Sequence, residues 1–315
     1  MVKAVLGNAL GITGLRDATA QLPAEPSSGG MLDLLGRAMR KVENDPTVPW
    51  VGRGGAPNAL GEMEFDSGVM IGRDMRVAAV GSVRNVVEIS SLPVDMLARN
   101  FPHVMLVGDG AERFAREAGH RTEPDALTPT MREQWRAWFT GRFGSHAVDR
   151  PHGVDLVTGA FSPQRAAQVQ PKDTVVFAAC DDEGRFAAMT STSGAQHKFP
   201  GRLGDSPICG AGFFALDGVG AVLCTHKGEL AIRTAAAATI CTYMEIGESP
   251  EDACRRYVRD RFSKLPPNSG ELVLHVLGRD GDPFVCSLGI PKPVTYCYWN
   301  VTTKVVEERP AVQLL

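Results

Sequence analysis

The stretch Lys-Asp-Thr-Val-Val-Phe at residues 172–177 marks the boundary between two differently patterned parts of the chain. The run of small and apolar residues at 175–179 is typical of a fully buried strand. By contrast, residues 144–172 contain prolines and two histidines and show no sustained hydrophobic period. We therefore expect 144–172 to be an exposed linker with solvated histidines. A lone Asp-Thr pair is common, and by itself it indicates only a threonine at the start of a strand with an aspartate as its cap.

Four short motifs follow this boundary in a fixed order. They are Thr-Ser-Thr-Ser-Gly (190–194), Gly-Arg-Leu-Gly-Asp-Ser-Pro (201–207), Gly-Ala-Gly (210–212) and Thr-His-Lys-Gly (225–228). This series resembles the Thr-type N-terminal nucleophile amidohydrolases, specifically the glycosylasparaginase (aspartylglucosaminidase) and plant-type asparaginase family with its isoaspartyl peptidases. The Gly-Gly-Ala-Pro turn at 54–57 extends the resemblance. The similarity covers about residues 31–262 and is clearest between 173 and 228.

The resemblance implies that the chain cuts itself between Asp173 and Thr174. A threonine hydroxyl is a weak nucleophile and needs an adjacent base. A threonine at the start of a chain has its own α-amino group, whose pKa of roughly 7.7–8.0 suits that role. In the cut, the hydroxyl would attack the Asp173 carbonyl, an N-to-O acyl shift would give an ester, and water would release it. The resemblance assigns assistance in this step to the carboxylate of Asp173.

Further site residues are also implied by the resemblance. Thr192 matches the threonine whose hydroxyl lies against the nucleophile. Thr225 matches the threonine of the oxyanion hole, and the backbone N–H of His226 would be the second donor. Such a donor pair can lower the barrier by roughly 3 kcal/mol.

Three residues match the family's substrate grip. Arg202 matches the arginine that binds the substrate α-carboxylate, a natural partner for its planar fork of donors. Asp205 matches the acid that pairs with the α-ammonium, and Gly228 matches the glycine whose carbonyl helps to hold it. The alternative for Arg202 and Asp205 is a surface ion pair of little energetic value.

These matches predict an amidohydrolase that cleaves the side-chain amide of an L-aspartyl substrate through an acyl-enzyme on Thr174. The main hypothesis is a glycosylasparaginase-like activity on N4-(β-N-acetylglucosaminyl)-L-asparagine. An isoaspartyl peptidase, an asparaginase or a related β-amide hydrolase with a different leaving group is the alternative. A further alternative, from a different class, is an unprocessed inactive relative that only binds an aspartate-like ligand.

Three positions depart from the family pattern. Val176 stands where the family has a glycine two residues after the nucleophile, and a branched residue is stiffer there. His226 replaces the glycine that follows the oxyanion threonine. Gly-Ile-Thr-Gly at 11–14 stands in the region of the Trp-Pro-Phe motif of the glycosylasparaginases. These changes do not affect the residues matched to the catalytic roles, but the identity of the leaving group stays open.

Composition limits the remaining possibilities. The 315 residues are 43% hydrophobic and 22% charged, with a formal net charge of −3. This balance is ordinary for a globular protein and does not indicate a nucleic-acid or membrane partner. No apolar run approaches the roughly 18–20 residues that span a bilayer, and the N-terminus lacks the long apolar core of a signal peptide. We expect a cytoplasmic protein.

Cysteine and potential ligand patterns argue against a metal or a disulfide framework. The seven cysteines form no C-x-x-C pair, and most lie among apolar neighbours. We therefore expect them to be buried and reduced. No paired His, Asp or Glu residues occur at a spacing useful for a metal, so we expect neither a metal nor a cofactor.

The predicted elements suggest an α+β fold. Strands come early and helices late on each side of the boundary. The expected strands are 2–6, 69–71, 76–80, 103–107, 175–180, 186–192, 213–216, 220–224, 271–277 and 283–288; the expected helices are 31–42, 93–100, 110–118, 128–143, 230–244 and 249–262. The resemblance implies a four-layer αββα sandwich, formed by an α subunit (1–173, with 144–173 as a flexible tail) and a β subunit (174–315) in one folded domain. It also implies a homodimer of such cleaved heterodimers.

Overall fold

A computed structural model describes residues 1–22, 30–161 and 174–315 of the chain. These residues form an α+β fold with two mixed sheets. The strands are β1 (Val2–Asn8), β2 (Phe65–Ile71), β3 (Arg76–Val83), β4 (Met105–Val107), β5 (Val175–Asp181), β6 (Phe186–Thr192), β7 (Phe213–Leu216), β8 (Gly220–His226), β9 (Leu272–Gly278), β10 (Pro283–Leu288), β11 (Thr295–Asn300), β12 (Glu307–Pro310) and β13 (Val312–Gln313).

The same residues also form nine α-helices. They are α1 (Ile12–Ala20), α2 (Met31–Glu43), α3 (Ser91–Ala98), α4 (Gly108–Glu117), α5 (Pro129–Phe143), α6 (Leu156–Gly159), α7 (Gly228–Thr234), α8 (Ala236–Glu245) and α9 (Pro250–Asp260). In α2 the apolar positions recur at helical spacing, and Arg40 and Lys41 in the last turn complement the helix dipole. Helix α9 begins at Pro250, where the side chain of Ser249 accepts a hydrogen bond from the backbone N–H of Asp252.

The larger sheet has eight strands in the order β12-β11-β1-β5-β6-β2-β3-β4. Strand β5, which begins directly after Thr174, lies between β1 and β6 and pairs antiparallel with both. All seven of its residues are buried. Gly7 on β1 makes room for the ring of Phe177, because a Cβ there would lie 2.6 Å from that ring. The strand predicted from the sequence is therefore an interior strand of the larger sheet.

The two faces of β5 contact different parts of the core. Phe177 and its same-face neighbours pack with α2, whereas Val176 and Ala178 pack against the second sheet. That second sheet has the order β13-β10-β9-β8-β7. Strands β5 and β6 contact β8 and β7 across the sheet interface, and α8 and α9 cover the other face of the second sheet. The site described below lies at the ends of β6 and β8 and the start of β5.

Most predicted elements are present, and the differences have physical causes. The helix expected over 230–244 is interrupted at Ala235, which adopts left-handed backbone angles (φ 48°, ψ 49°). The interruption allows the backbone N–H groups of Ala237 and Ala238 to donate to the carbonyls of Ala211 and Gly210. The hairpin of β9 and β10 is not the last element, because β11 extends the larger sheet beside β1. Helix α1 was not predicted, and it packs on α2.

The predicted linker is described only in part. Residues 144–161 contain short helical turns at Ser145–Ala147 and Pro151–Gly153, followed by α6, which differs from the irregular linker expected there. Its histidines, His146 and His152, are exposed as expected. Residues 162–173, including Asp173, and residues 23–29 lie outside the described residues.

The cysteines behave as the sequence indicated. All seven are free, and all except the half-buried Cys209 are buried. Burial raises the pKa of the Cys180 thiol to about 11, so this group stays a neutral thiol at ordinary pH. No helix among residues 1–22, 30–161 and 174–315 is long and apolar enough to cross a membrane.

Candidate active site

One cavity of about 340 Å³ contains most of the residues that the sequence singled out. Thr174, Thr192, Arg202, Asp205, His226 and Gly228 all line it. These residues are distant in sequence, and the cavity brings together the start of β5, the ends of β6 and β8, and the loop between β6 and β7. A cavity of this size suits a small molecule.

Thr174 is held in place at the start of β5. It is only 5% exposed, and its hydroxyl lies 3.3 Å from the hydroxyl of Ser206. The side-chain amide of Asn8 donates to the backbone carbonyl of Thr174 at 2.6 Å, and the amide oxygen of Asn8 accepts from the backbone N–H of Val176 at 3.3 Å. Asn8 therefore fixes the backbone on both sides of Val175.

Sheet register places Thr192 near Thr174. Val175 pairs with Ser191, and one further step of the same antiparallel register puts Thr174 opposite Thr192. The hydroxyl of Thr192 accepts from the backbone N–H of Gly194 at 2.9 Å and lies 3.4 Å from the carbonyl of Trp50. The contact with Trp50 links the end of β6 to the segment that leads into the glycine-rich turn at 54–57.

Thr225 and His226 lie at the end of β8. The Thr225 hydroxyl is buried, 3.2 Å from His226 Nδ1 and 3.4 Å from His275 Nε2. His226 lines the cavity and has a φ of 83°, a value that favours glycine and is strained for other residues. The backbone of His226 is therefore one that a glycine would adopt without strain, and its imidazole lies in the wall of the cavity.

Arg202 is already engaged by a carboxylate of the same site. Its Nε and Nη2 donate to Oε1 of Glu229 at 3.0 and 2.7 Å. Burial acts to raise the pKa of Glu229, but the charge and hydrogen bonds of Arg202, with smaller contributions from neighbouring groups, lower the pKa overall. An incoming carboxylate would share the guanidinium with Glu229.

Asp205 is a buried carboxyl without a full set of partners. It is 3% exposed, and its Oδ2 has no hydrogen-bond partner among the described residues. Burial raises the pKa of Asp205 to about 7, with Arg202 acting in the opposite direction. A Cβ on Gly228 would lie 2.6 Å from Asp205 Oδ1, so only glycine permits this close approach at the start of α7. The unmatched oxygen suits a cationic ligand group.

A second buried charge cluster adjoins the cavity. The Lys198 side chain is 1% exposed and lines the cavity, with Nζ 3.5 Å from Asp66 Oδ2 and 3.9 Å from Glu64 Oε2. Nζ also donates to the backbone carbonyl of Glu64 at 3.3 Å. The carboxylate of Asp66 is fully buried and accepts from the backbone N–H of Ser82. This lysine adds a positive charge to the wall of the cavity.

Several of these contributors could not be recognised from the sequence motifs. Asn8, Lys198, Glu229 and His275 received no role, although Lys198 and Glu229 stand within a few residues of recognised motifs. Thr225 contacts the imidazoles of His226 and His275 and is not among the residues that line the cavity. Asp173 lies outside the described residues. Within residues 1–22, 30–161 and 174–315, no group of three or more His, Cys, Asp or Glu side chains could hold a metal.

The chain is similar to known asparaginases and related amidohydrolases. A family model described as asparaginase matches residues 13–289. The chain is 32% identical over 246 residues to an N(4)-(β-N-acetylglucosaminyl)-L-asparaginase of Elizabethkingia miricola, an alignment that covers 78% of this chain and 66% of that protein. It is 36% identical over 256 residues to an isoaspartyl peptidase of Salmonella typhimurium, covering 80% and 77% of the two chains.

Other glycosylasparaginase relatives show the same level of similarity. An N(4)-(β-N-acetylglucosaminyl)-L-asparaginase of Mus musculus is 31% identical over 254 residues, which cover 77% of this chain and 72% of that protein. The aligned part of this chain spans just under two thirds of the length of some relatives, 66% for the Elizabethkingia protein and 64% for a putative N(4)-(β-N-acetylglucosaminyl)-L-asparaginase of Drosophila yakuba.

Proposed function

Because this chain belongs to the glycosylasparaginase and plant-type asparaginase family, we propose that it is an autoproteolytically activated amidohydrolase. Its substrate is an L-aspartyl compound with an amide on the side chain, and its acyl-enzyme forms on Thr174. One observation carries this proposal: the hydroxyl-bearing Thr174 shares a single cavity with Arg202 and with the buried, incompletely partnered carboxyl of Asp205. A nucleophile next to one cationic and one anionic group matches the chemistry of an α-amino acid with a reactive side chain.

The reaction begins once cleavage between Asp173 and Thr174 has freed the α-amino group of Thr174. That amine takes the hydroxyl proton, and the oxygen attacks the side-chain carbonyl of the substrate. The hydroxyl of Thr225 and the backbone N–H of His226 stabilise the oxyanion. The amine leaves with a proton, and water then hydrolyses the aspartyl ester on Thr174. Thr192 supports the nucleophile from the adjacent strand.

Substrate orientation depends on the two charged groups. Arg202 binds the α-carboxylate, and Asp205 with the carbonyl of Gly228 binds the α-ammonium. Pairing with an ammonium group lowers the pKa of a carboxyl, so substrate binding favours the ionised form of Asp205. The buried Asp205 therefore becomes fully satisfied only when a cationic group is present.

The leaving group defines the alternatives within this reaction class. The main proposal is a glycosylasparaginase-like activity that releases a glucosaminyl amine. An isoaspartyl peptidase or asparaginase activity, which releases an amino acid or ammonia, is the alternative suggested by relatives such as the Salmonella protein. The imidazole of His226 occupies space near the carbonyl under attack and distinguishes this cavity from that of a glycine-bearing relative.

The resemblance supports several features of the assembled protein. We propose that 1–173 and 174–315 become the α and β subunits of one folded domain, with the end of the first as a flexible tail. The helices that cover both packed sheets support a four-layer αββα sandwich. A homodimer of cleaved heterodimers is part of the same proposal, and the cytoplasmic location expected from the sequence stays a prediction.

The decisive assay measures aspartate release from a panel of β-aspartyl amides that differ in the leaving group. Thr174→Ala should abolish release, because it removes the attacking oxygen. Thr174→Ser is the matched control, since it keeps a hydroxyl and should retain part of the activity. If Thr174→Ala hydrolyses every amide as fast as the wild type, the proposal is wrong. Turnover that is insensitive to EDTA would separately exclude a metal-dependent route.

An unprocessed ligand-binding protein is the alternative from another class. Val176 is the reason to consider it, since a bulky residue close to the cut could relieve strain at the scissile bond. In the structure Val176 is a buried strand residue that packs between the sheets, an ordinary position for valine. A denaturing gel distinguishes the two functions: the enzyme should separate into two fragments, whereas the pure binder remains one chain.

A further inference from the structure

His275 is a histidine in the middle of an otherwise apolar strand. It lies on β9, where Leu223 of β8 is its direct neighbour and Val273 pairs with Thr225. Leu223, Val273 and Leu277 point into the apolar core between the two sheets. His275 therefore shares the face of the sheet that carries Thr225, the proposed oxyanion donor. An imidazole is an unusual choice for such a position unless it has a specific partner.

The imidazole of His275 contacts the Thr225 hydroxyl and little else that is polar. Its Nε2 lies 3.4 Å from Thr225 Oγ1, and its Nδ1 has no hydrogen-bond partner among the described residues. Burial is the main cause that lowers the pKa of His275 to about 3, so the ring is neutral at ordinary pH. A neutral ring carries one N–H, on either Nδ1 or Nε2.

Hydrogen bonding favours the Nε2–H form of this ring. With the proton on Nδ1, a buried N–H would lack any described acceptor, a rare and costly arrangement. With the proton on Nε2, the N–H points to the lone pair of Thr225 Oγ1, and only a ring lone pair remains unmatched. The second form has the smaller penalty.

We propose that His275 is a positioning residue that donates from Nε2–H to the oxygen of Thr225 and so directs the single hydroxyl proton of Thr225 toward the reacting carbonyl oxygen. Before substrate binds, that proton is accepted by Nδ1 of His226, 3.2 Å from Thr225 Oγ1 on the cavity side. A developing oxyanion is a stronger acceptor than an imidazole nitrogen, so the Thr225 hydroxyl then donates to the oxyanion instead of to His226. Accepting one hydrogen bond also strengthens the bond that the same hydroxyl donates.

This inference rests on the proposed amidase function and deepens it. The hydrogen bond from Thr225 matters mainly when negative charge develops, so the support from His275 belongs to the transition state. Loss of His275 should therefore lower kcat and leave KM nearly unchanged. Loss of a residue that served only to fill the core would not lower kcat selectively while leaving KM unchanged.

The test compares His275→Leu with His275→Gln in the cleaved enzyme, using an activated β-aspartyl anilide. Leucine fills the apolar space without a donor, whereas the glutamine amide can place an N–H near the position of Nε2. We expect kcat to fall about tenfold for His275→Leu, as for the loss of one hydrogen bond, and to recover to within about threefold for His275→Gln. Circular dichroism and completed self-cleavage establish that both variants fold.

A double-mutant cycle links the effect to Thr225. In a Thr225→Val background, which has no hydroxyl to direct, His275→Leu should cause no further loss of kcat. Equal kcat values for His275→Leu and His275→Gln, a change in KM instead of kcat, or a full additional loss in the Thr225→Val background would each overturn the proposal.

A measurement that does not need turnover separates this inference from the proposed function. In protein with ¹⁵N-labelled histidine, the nitrogen resonances of His275, assigned by their loss in His275→Gln, should show the Nε2–H tautomer. The Nδ1–H tautomer would overturn the inference even in an active enzyme. An inactive wild type with the Nε2–H tautomer would refute the amidase function and leave the arrangement of His275 and Thr225 standing.

Discussion

Replacing Asp205 with asparagine is expected to stabilise the empty protein at pH 8 although it removes a proposed substrate contact. The carboxyl of Asp205 is buried, and its Oδ2 has no hydrogen-bond partner among the described residues. An ionised carboxylate in this position is costly, and a neutral amide of the same shape costs less. A site built to receive a cation should therefore be a source of instability when it is empty.

The pKa of Asp205 gives the magnitude. It is raised from 3.8 to about 7, chiefly by burial. Because the folded-state pKa is raised, folding favours the protonated form of Asp205. The stability that this form contributes is complete below the unfolded-state pKa and is lost as the pH rises through the folded-state value. At ~1.4 kcal/mol per pKa unit, the ionised group costs at most about 4 kcal/mol at pH 8. Between pH 5 and pH 8 this cost grows by about 2–3 kcal/mol.

The assay is urea unfolding in a Thr174→Ala background, which keeps the protein as one chain. Asp205→Asn should raise the free energy of unfolding relative to this parent, and the gain should be about 2–3 kcal/mol larger at pH 8 than at pH 5. Glu43, whose pKa burial also raises to about 7, is present in both proteins and cancels in the comparison. Asp280→Asn, at an exposed turn, controls for the loss of one charge.

Two outcomes would refute this reasoning. If Asp205→Asn is less stable than its parent at pH 8, the carboxylate is satisfied in the empty protein and is not waiting for a cation. If the stability difference is the same at pH 5 and pH 8, the carboxyl does not titrate between them.

In the active enzyme, kcat/KM should fall more steeply than tenfold per pH unit below pH 7, because protonated Asp205 cannot pair with the α-ammonium of the substrate and the α-amine of Thr174 is protonated as well. A pH profile with one substrate should show that Asp205→Asn keeps only the tenfold limb of the amine, and equal slopes for the wild type and the variant would contradict this. Glu229→Gln should lower KM about threefold, since the side chain of Glu229 competes with the substrate carboxylate for Arg202. Steady-state kinetics at constant ionic strength measure the change in KM, and an unchanged or higher KM would show that Glu229 positions the arginine instead. Lys198→Met should destabilise the protein by about 3–5 kcal/mol, because it leaves the buried Asp66 without its cation. Adding Asp66→Asn to that variant should restore most of the loss in urea unfolding, and failure to do so would mean that the lysine acts mainly through Glu64.

The strands around the nucleophile were predictable because their signals are local. The run at 175–179 is apolar on both faces, and in the structure both faces of β5 are covered, one by α2 and one by the second sheet. Turn residues at 181–184 fixed the hairpin between β5 and β6. The same holds for α2 and α9, whose helical period and capping residues lie within the segment itself.

Elements that depend on distant partners were not predictable in the same way. Helix α1 begins without a side-chain cap and contains Gly14, whose missing side chain allows close contact with the backbone of Ala38 on α2. Packing against α2 holds α1 in place, and the short sequence of α1 alone does not reveal this contact. Strand β11 likewise depends on pairing with β1, at the opposite end of the chain, and β12 in turn pairs with β11.

Within the site, the sequence allowed residues to be matched to roles, but it did not predict which other side chains those residues contact. The motif around Arg202 and Asp205 predicted a charged grip, yet the pairing of Arg202 with Glu229 arises only when the loop before β7 folds over the start of α7. Asn8 and His275 lie in short apolar strands far from every motif. Their contacts with Thr174 and Thr225 exist because β1 adjoins β5 and β9 adjoins β8. Sheet order, which the sequence did not reveal, makes them part of the site.

Intact mass spectrometry with N-terminal sequencing of the purified protein tests the central claim most directly. The account predicts two chains, residues 1–173 and 174–315, with the second beginning Thr-Val-Val. It also predicts that Thr174→Ala remains a single chain without amidase activity. A protein that stays uncut and yet hydrolyses β-aspartyl amides at full rate would contradict the claim that Thr174 acts through an amine freed by cleavage.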